Sequence, residues 1–184
     1  MGPGPVGPHI ERSLAFASVL ESAPSRALDL GSGAGLPGLP LALAWPDTRW
    51  VLLDGSVTRT NALRRAVSEL GLADRVEVVS ARAEDYGRGA ERGRFDLVVA
   101  RSFGPPALTA ECSAPLLVLG GQLVVAEPPG GAPGRWPADG LRSLGLAPTV
   151  SRSFPAALQT LTLCTACPDR FPRRTGVPAK RPLF

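Results

Sequence analysis

Asp29-Leu-Gly31-Ser-Gly33-Ala-Gly35 is the stretch whose reading decides the fold. It closes a short apolar run, Arg26 to Leu30, and opens a helical segment from Leu36 to Ala44. Glycines at such a junction let the backbone turn sharply and approach a ligand with no Cβ in the way. A dinucleotide-binding turn has the spacing G-x-G-x-x-G, its third glycine packing helix on strand. The spacing here is G-x-G-x-G, with an acid two residues before the first glycine. That favours a nucleoside cofactor without a pyrophosphate.

Working outward, apolar runs and amphipathic stretches alternate. Trp50 to Asp54 reads as a second strand and Ser56 to Leu70 as a helix stopped by Gly71. The helix face of Ala62, Leu63, Ala66, Val67 and Leu70 opposes Arg59, Arg64 and Arg65. Val76–Val79 and Phe95–Ala100 follow as strands, with a short helix at Ala83–Tyr86 and a loop at Gly87–Gly93 between them. A helix over Ala107–Leu117 and a strand over Gln122–Ala126 come next. Pro37 and Pro40 are tolerated in or near the first turn of their helix.

Upstream, residues 1–8 read as a flexible lead-in and His9–Leu20 as one amphipathic helix. Downstream, Pro128–Pro137 is a proline- and glycine-rich loop. Thr149–Phe154 and Leu158–Thr165 are consecutive strands, hence an antiparallel hairpin. Alternating strands and helices predict a parallel sheet covered on both faces. The expected fold is therefore α/β: a doubly wound, mostly parallel, Rossmann-like seven-stranded sheet ending in a hairpin. One domain over residues 1–184 is expected, with residues 1–25 leading in and 168–184 forming a basic tail.

Composition narrows the function. The 184 residues include 21 glycines and 20 prolines, a share just under the roughly 25–30% at which low complexity becomes the better reading. The net charge is +4, and Lys180 is the only lysine among 20 basic residues. The positive charge is thus nearly all guanidinium, which forks onto phosphate and stacks on bases. The longest uncharged run, Leu30 to Pro46, is broken by glycines and prolines, so no membrane span is expected. No secretory signal opens the chain, and a cytoplasmic protein is expected. Three cysteines make no disulfide scaffold. Cys164 and Cys167 have the C-x-x-C spacing, but on a strand an offset of three sends their side chains to opposite faces, and no metal site is expected.

Asp54 ends the second strand, where a carboxylate accepts the hydroxyls of a ribose, and Arg82-Ala-Glu-Asp85 follows the third strand at the rim where an adenine would lie. Ligands of open α/β sheets bind at that carboxyl edge. Together these residues resemble the class I S-adenosylmethionine methyltransferases. Leu28-Asp-Leu-Gly-Ser-Gly-Ala-Gly-Leu-Pro-Gly-Leu-Pro-Leu-Ala42 resembles the glycine motif of the RsmG (GidB) family. So do Ala81-Arg-Ala-Glu84, the pair Ala100-Arg101, and the tail Phe171-Pro-Arg-Arg-Thr-Gly-Val-Pro-Ala-Lys-Arg-Pro-Leu183. The resemblance implies methylation of N7 of a guanine in 16S ribosomal RNA, with S-adenosylmethionine as cofactor and S-adenosylhomocysteine as product. The partner it implies is that RNA or the small ribosomal subunit, and a monomer is expected. Cofactor contacts carried over fall on Gly31, Gly33, Gly35, Leu36, the Ala83-Glu84 backbone and Arg101, with Asp54 in the ribose role. RNA contacts are expected from Arg59, Arg173, Arg174, Lys180 and Arg181. The tail, rich in prolines and without an acid after Asp169, reads as an extended arm along a phosphate backbone.

Guanine N7 carries a lone pair and no proton, so its methylation needs no general base. The sole histidine, His9, reads as a solvated or capping residue. A carboxylate or carbonyl near the base would stabilise the charge that develops, but no residue is assigned to that task from the sequence. Three features depart from the family pattern, the first being a short amino terminus, with only about 25 residues before the glycine strand where a helical extension is usual. Thr58-Arg59 stands where a Lys-Arg pair is usual, and Glu127-Pro128 stands where a Lys-Gly is usual. A cofactor-binding module without turnover, and a methyltransferase for another RNA or a small molecule, are the alternative readings.

Overall fold

The computed structural model describes residues 6–129, 134–153 and 156–184. Seven strands pair into one sheet: β1 (Arg26–Leu30), β2 (Arg49–Asp54), β3 (Val76–Ser80), β4 (Phe95–Ala100), β5 (Leu117–Ala126), β6 (Leu146–Arg152) and β7 (Leu158–Leu163). Their order is β3-β2-β1-β4-β5-β7-β6. The first five are parallel, and β7 runs antiparallel to both β5 and β6. The α/β sheet with a closing hairpin is the one the sequence predicts. Around it lie α1 (Val6–Leu14), α2 (Gly38–Ala44), α3 (Val57–Glu69), α4 (Ala83–Arg88), α5 (Pro106–Ser113), α6 (Ala138–Arg142) and α7 (Val177–Lys180).

Strand alternation divides the core into two layers. Leu28, Leu30, Val51, Leu53 and Val98 pack on the side of α4 and α5, with Ala83, Ala110 and Cys112. Ala27, Trp50, Leu52, Leu97 and Val99 pack on the other side with Phe16, Leu41, Leu63 and Val67. Both faces are covered, which is why these strands are apolar throughout rather than alternating.

The boundaries differ from the sequence reading in physical detail. The first helix begins at Val6, within the expected lead-in, and tightens into a 3-10 turn at Ala15–Val19. Pro8 falls in its first turn, where the missing N–H has no helical partner to lose. Residues 1–5 lie outside the described residues. The second helix starts at Gly38, two residues late, because Leu36 and Pro37 belong to the glycine turn. On α3 the buried residues are Thr60, Leu63 and Val67, whereas Ala62 and Leu70 face outward. Helix α4 runs on through Gly87 to Arg88.

Helix α5 gives way to a 3-10 turn, and β5 begins at Leu117, five residues early, with a register shift opposite Phe95 and Leu97. The hairpin strands are Leu146–Arg152 and Leu158–Leu163. Phe154, expected in the first of them, lies outside the described residues, as do residues 130–133 of the Pro128–Pro137 loop. Helix α6 has no counterpart in the sequence reading. Cys164 and Cys167 lie beyond β7 rather than on it, and the cysteines are free.

The tail departs most. It is not an extended arm but returns to the body of the protein and forms α7. Arg92 anchors it by donating to the carbonyls of Cys167 and Phe171, both at 2.6 Å, and Phe171 is buried. No helix of the described residues is long and apolar enough to cross a membrane.

Candidate active site

The parallel strands deliver the glycine turn and the acid of β2 to one place. Gly31 N and Ser32 N donate to the Leu53 carbonyl at 2.8 and 3.0 Å, so the turn is tied to the end of β2. Asp54 completes the tie. Its Oδ2 accepts from Gly33 N at 3.0 Å, and its Oδ1 from Ser56 N at 2.8 Å. Arg59 Nη1 lies 3.4 Å from Oδ2. Asp54 is only 5% exposed, but each oxygen of a carboxylate has more than one acceptor position. It lines a cavity of about 360 Å³ together with Gly31, Gly55, Arg82, Ser102 and Phe103.

Gly31 adopts φ +72°, and a Cβ there would lie 2.6 Å from Phe103 Cδ2. The turn therefore needs glycine both for its backbone and for the ring that covers it. A second cavity of about 150 Å³ continues from Gly55 and Arg82 to Ala83, Glu84, Leu108 and Ala179. A recessed carboxylate, close backbone approach and a narrow apolar-walled cleft beside it fit a ribose and an attached base.

A third and larger cavity, about 540 Å³, lies beyond β4 and β5 and shares Ser102 and Phe103 with the first. Arg101, Phe16, Glu127 and Trp136 are among its walls. Ser102 has φ 58°, a left-handed backbone that is unusual for a residue other than glycine. Such local strain concentrates at functional positions, and here it falls where the two cavities meet.

The expected cofactor residues separate into groups. Gly31 and Asp54 line the first cavity, Ala83 and Glu84 the second, and Gly33 is held by Asp54. Gly35 is buried against Leu39 and Leu63, so it seats α2 on the sheet rather than facing a cavity. Leu36 lines none of these cavities. Arg101 belongs to the large cavity, and its Nη2 donates to His9 Nδ1 at 2.9 Å, giving the sole histidine an acceptor role. Burial lowers the Arg101 pKa from its ordinary value.

Asp29, before the first glycine, faces the opposite core layer. Its Oδ2 accepts from Gly38 N at 2.9 Å, while Oδ1 is buried with no hydrogen-bond partner. Burial is the chief cause of its pKa being pushed up to about 7. A Cβ on Gly38 would lie 2.6 Å from Asp29 Oδ2, so glycine is required for α2 to close onto this acid.

Among the expected RNA-binding residues, Arg59 is exposed beside Asp54, and Arg174, Lys180 and Arg181 are exposed on the tail. Arg173 is not available in the same way. Its Nε and Nη2 donate to Oε1 and Oε2 of the fully buried Glu111 at 2.8 and 2.6 Å, and its backbone N donates to Oε1 at 2.9 Å. These bonds raise its pKa. Two further acids hold the tail: Glu84 Oε1 accepts from Gly176 N at 3.0 Å, and Asp85 Oδ1 accepts from Thr175 Oγ1 at 2.6 Å.

Sequence reasoning missed Phe103, Glu111 and the Glu127–Trp136 pairing. Only the position of Phe103, just after Arg101 at the end of β4, offered a local signal. Cys167 is half-buried, its thiol pushed up to about 11 by burial. Among the described residues no group of three or more metal-ligating side chains comes together.

Sheet order, antiparallel seventh strand and cavities along the carboxyl edge define a class I methyltransferase. Its fold is similar to that of a geranyl diphosphate methyltransferase solved with GPP and sinefungin, at 13% identity and TM-score 0.65, over 83% of this chain and 78% of that one. It is also similar to cofactor-bound Rv0187 from MTB, at 20% identity and TM-score 0.60, over 89% and 82%. The chain belongs to the rRNA small subunit methyltransferase G (GidB) family, whose pattern matches residues 6–128. A relative from Rubrobacter xylanophilus named Ribosomal RNA small subunit methyltransferase G is 38% identical, over 95% of this chain and 72% of its own length. One of the same name from Chloroflexus aggregans is 36% identical, over 95% and 76%.

Proposed function

We propose that this protein uses S-adenosylmethionine to methylate N7 of a guanine in 16S ribosomal RNA, as a cytoplasmic, single-domain monomer acting on the RNA or the small subunit. The observation that carries the reading is the Asp54 carboxylate, bound to Gly33 N at 3.0 Å on the wall of a cavity bordered by Gly31 and Phe103. When bound, S-adenosylmethionine supplies a methyl group on a sulfonium centre. Asp54 accepts the ribose hydroxyls, Gly31 and Gly33 bring backbone close to the ligand, and Ala83 with the Glu84 backbone borders the adenine. Arg101 borders the neighbouring cavity, where the target base enters.

The protein's contribution is positional. N7 has no proton to lose, so no side chain has to act as a base. Placing nucleophile and methyl carbon about 3–3.5 Å apart and in line supplies the catalysis. Ser102 and Phe103, common to both cavities, are the segment across which the two reactants meet. Exposed Arg59, Arg174, Lys180 and Arg181 hold the RNA through its phosphates.

Labelled-methyl transfer to unmodified small subunits and to naked 16S RNA, with the modified base mapped, tests the proposal. Label at guanine N7 is expected. Cofactor binding without transfer to either RNA substrate, or label on another atom, would overturn it.

A further inference from the structure

The carboxy-terminal tail does more than return to the body of the protein. Ala179, in α7, lines the cavity of about 150 Å³ in which the adenine is proposed to sit. The other walls, Arg82, Ala83, Glu84 and Leu108 among them, come from the segment between Gly55 and Leu108. The carboxy terminus alone supplies Ala179, and the sequence assigns no cofactor role to it.

The placement of Ala179 is built rather than incidental. Arg173 joins the tail to the buried Glu111, and its Nη2 also donates to the Arg181 carbonyl at 2.7 Å, which closes the segment around α7. Pro178, next to Ala179, is buried. At the far end the Phe184 ring rests against Gly140 of α6, where a Cβ would overlap it. Glu84 is the joint between tail and cavity. Its side chain is only 3% exposed, it lines the cavity, and its Oε1 accepts from Gly176 N at 3.0 Å and from Arg82 Nη2 at 3.4 Å. Release of the tail would take away the Gly176 donor and one wall of the cavity together.

From this arrangement we infer that the docked tail is part of the cofactor site: Ala179 closes the adenine cavity from outside, and cofactor binding and tail docking are coupled. The inference rests on reading this cavity as the adenine site. A methyl group over the cavity removes apolar ring surface from water, and it does so only while the tail is down. The intrinsic affinity is therefore expressed in proportion to the docked fraction. By reciprocity, the bound cofactor holds the tail down by the same factor. Helix α7 then has two sides, Ala179 toward the cofactor and the exposed Lys180 toward solvent.

Two measurements on the full chain test the coupling. The first is calorimetric titration with S-adenosylhomocysteine. Ala179→Trp puts a bulky ring at the cavity wall and is expected to weaken binding about 10- to 100-fold, whereas Ala179→Ser, close to alanine in size, stays near the wild type. The midpoint of thermal unfolding without ligand is expected to hold in both. The second is amide hydrogen exchange of the wild type. With S-adenosylhomocysteine at about 100 times its Kd, exchange at Gly176 is expected to slow by about tenfold or more, with a ceiling of about 100-fold set by linkage. Exchange at Gly33 reports that the site is occupied. Wild-type affinity in Ala179→Trp overturns the inference. So does a Gly176 amide indifferent to ligand while the Gly33 amide slows, whatever the variants do. If the wild type gives no heat and neither amide responds, the reading of the cofactor site fails first and this inference with it.

Discussion

The glycine-turn site and the carboxy-terminal tail are both arrangements of charged and backbone groups, but they are held together over different distances. In the first, Asp54 meets Gly33 and Ser56, 21 and two residues away in sequence, and adjacent parallel strands deliver them. In the second, Arg173 meets Glu111 across 62 residues and Gly176 meets Glu84 across 92. A bond formed within a strand–turn–helix unit carries a local signature. One formed by a tail folding back carries none, and its charges look free when they are not.

Substitution of Arg173 bears hardest on this contrast. Arg173→Ala leaves the buried Glu111 carboxylate without its ion pair, and breaking such a pair costs about 3 kcal/mol or more. The discount for the partly exposed Arg173 keeps the effect near the lower end. Denaturant unfolding is the measurement. An unaltered midpoint together with a shallower salt dependence of RNA binding would make the tail the arm that its composition suggested.

Asp29 gives the next effect. Its pKa rises from 3.8 in the unfolded chain to about 7 in the folded one, so the folded state holds the proton longer. Below about pH 4 both states are protonated and the acid is neutral in its effect. Between about 4 and 7 the unfolded chain alone is ionised, and stability falls as pH rises, levelling above 7. Asp29→Asn removes this slope, so wild type loses stability relative to the variant across that window. Parallel stability profiles of the two proteins from about pH 4 to 8 would show that the acid is not desolvated.

Within the glycine-turn site, Asp54→Ala removes the charged acceptor and loosens Gly33 and Ser56. A bond to a charged group contributes about 1.5–3 kcal/mol, so cofactor affinity is expected to fall by about 10- to 100-fold, read by calorimetry. The smallest effect lies on the tail surface. Neutralising Arg174, Lys180 and Arg181 together lowers the slope of log K against log salt by about 0.7–0.9 for each phosphate no longer neutralised, with little change in folding. An unchanged slope would remove the tail from the RNA interface.

The same contrast explains what the sequence disclosed. Sheet class, closing hairpin and the placing of Asp54 at the same sheet edge as the glycine turn were legible because strand alternation and a glycine spacing are short-range patterns, whereas the bond from Gly33 N to Asp54 was not. Gly35 was legible as necessary but not as a packing residue, since only the approach of Leu39 and Leu63 distinguishes the two roles. Glu127 looked like a departure from a family pattern. Its partners Arg135 and Trp136, eight and nine residues on, lie across a loop with no periodicity to read. Arg101 reads from the sequence as a cofactor contact, but it lines the larger cavity instead, where α1 reaches it with His9, a contact with no short-range signature.

The central claim is that the turn at Gly31–Gly35, with Asp54, receives a nucleoside sulfonium and not a dinucleotide. Isothermal titration of the wild-type chain with S-adenosylmethionine, S-adenosylhomocysteine and NADH tests it most directly. Single-site binding of the first two, weakened in Asp54→Ala, and no heat with NADH are expected. Tight NADH binding that depends on Asp54, with no heat from either sulfur nucleoside, would contradict it.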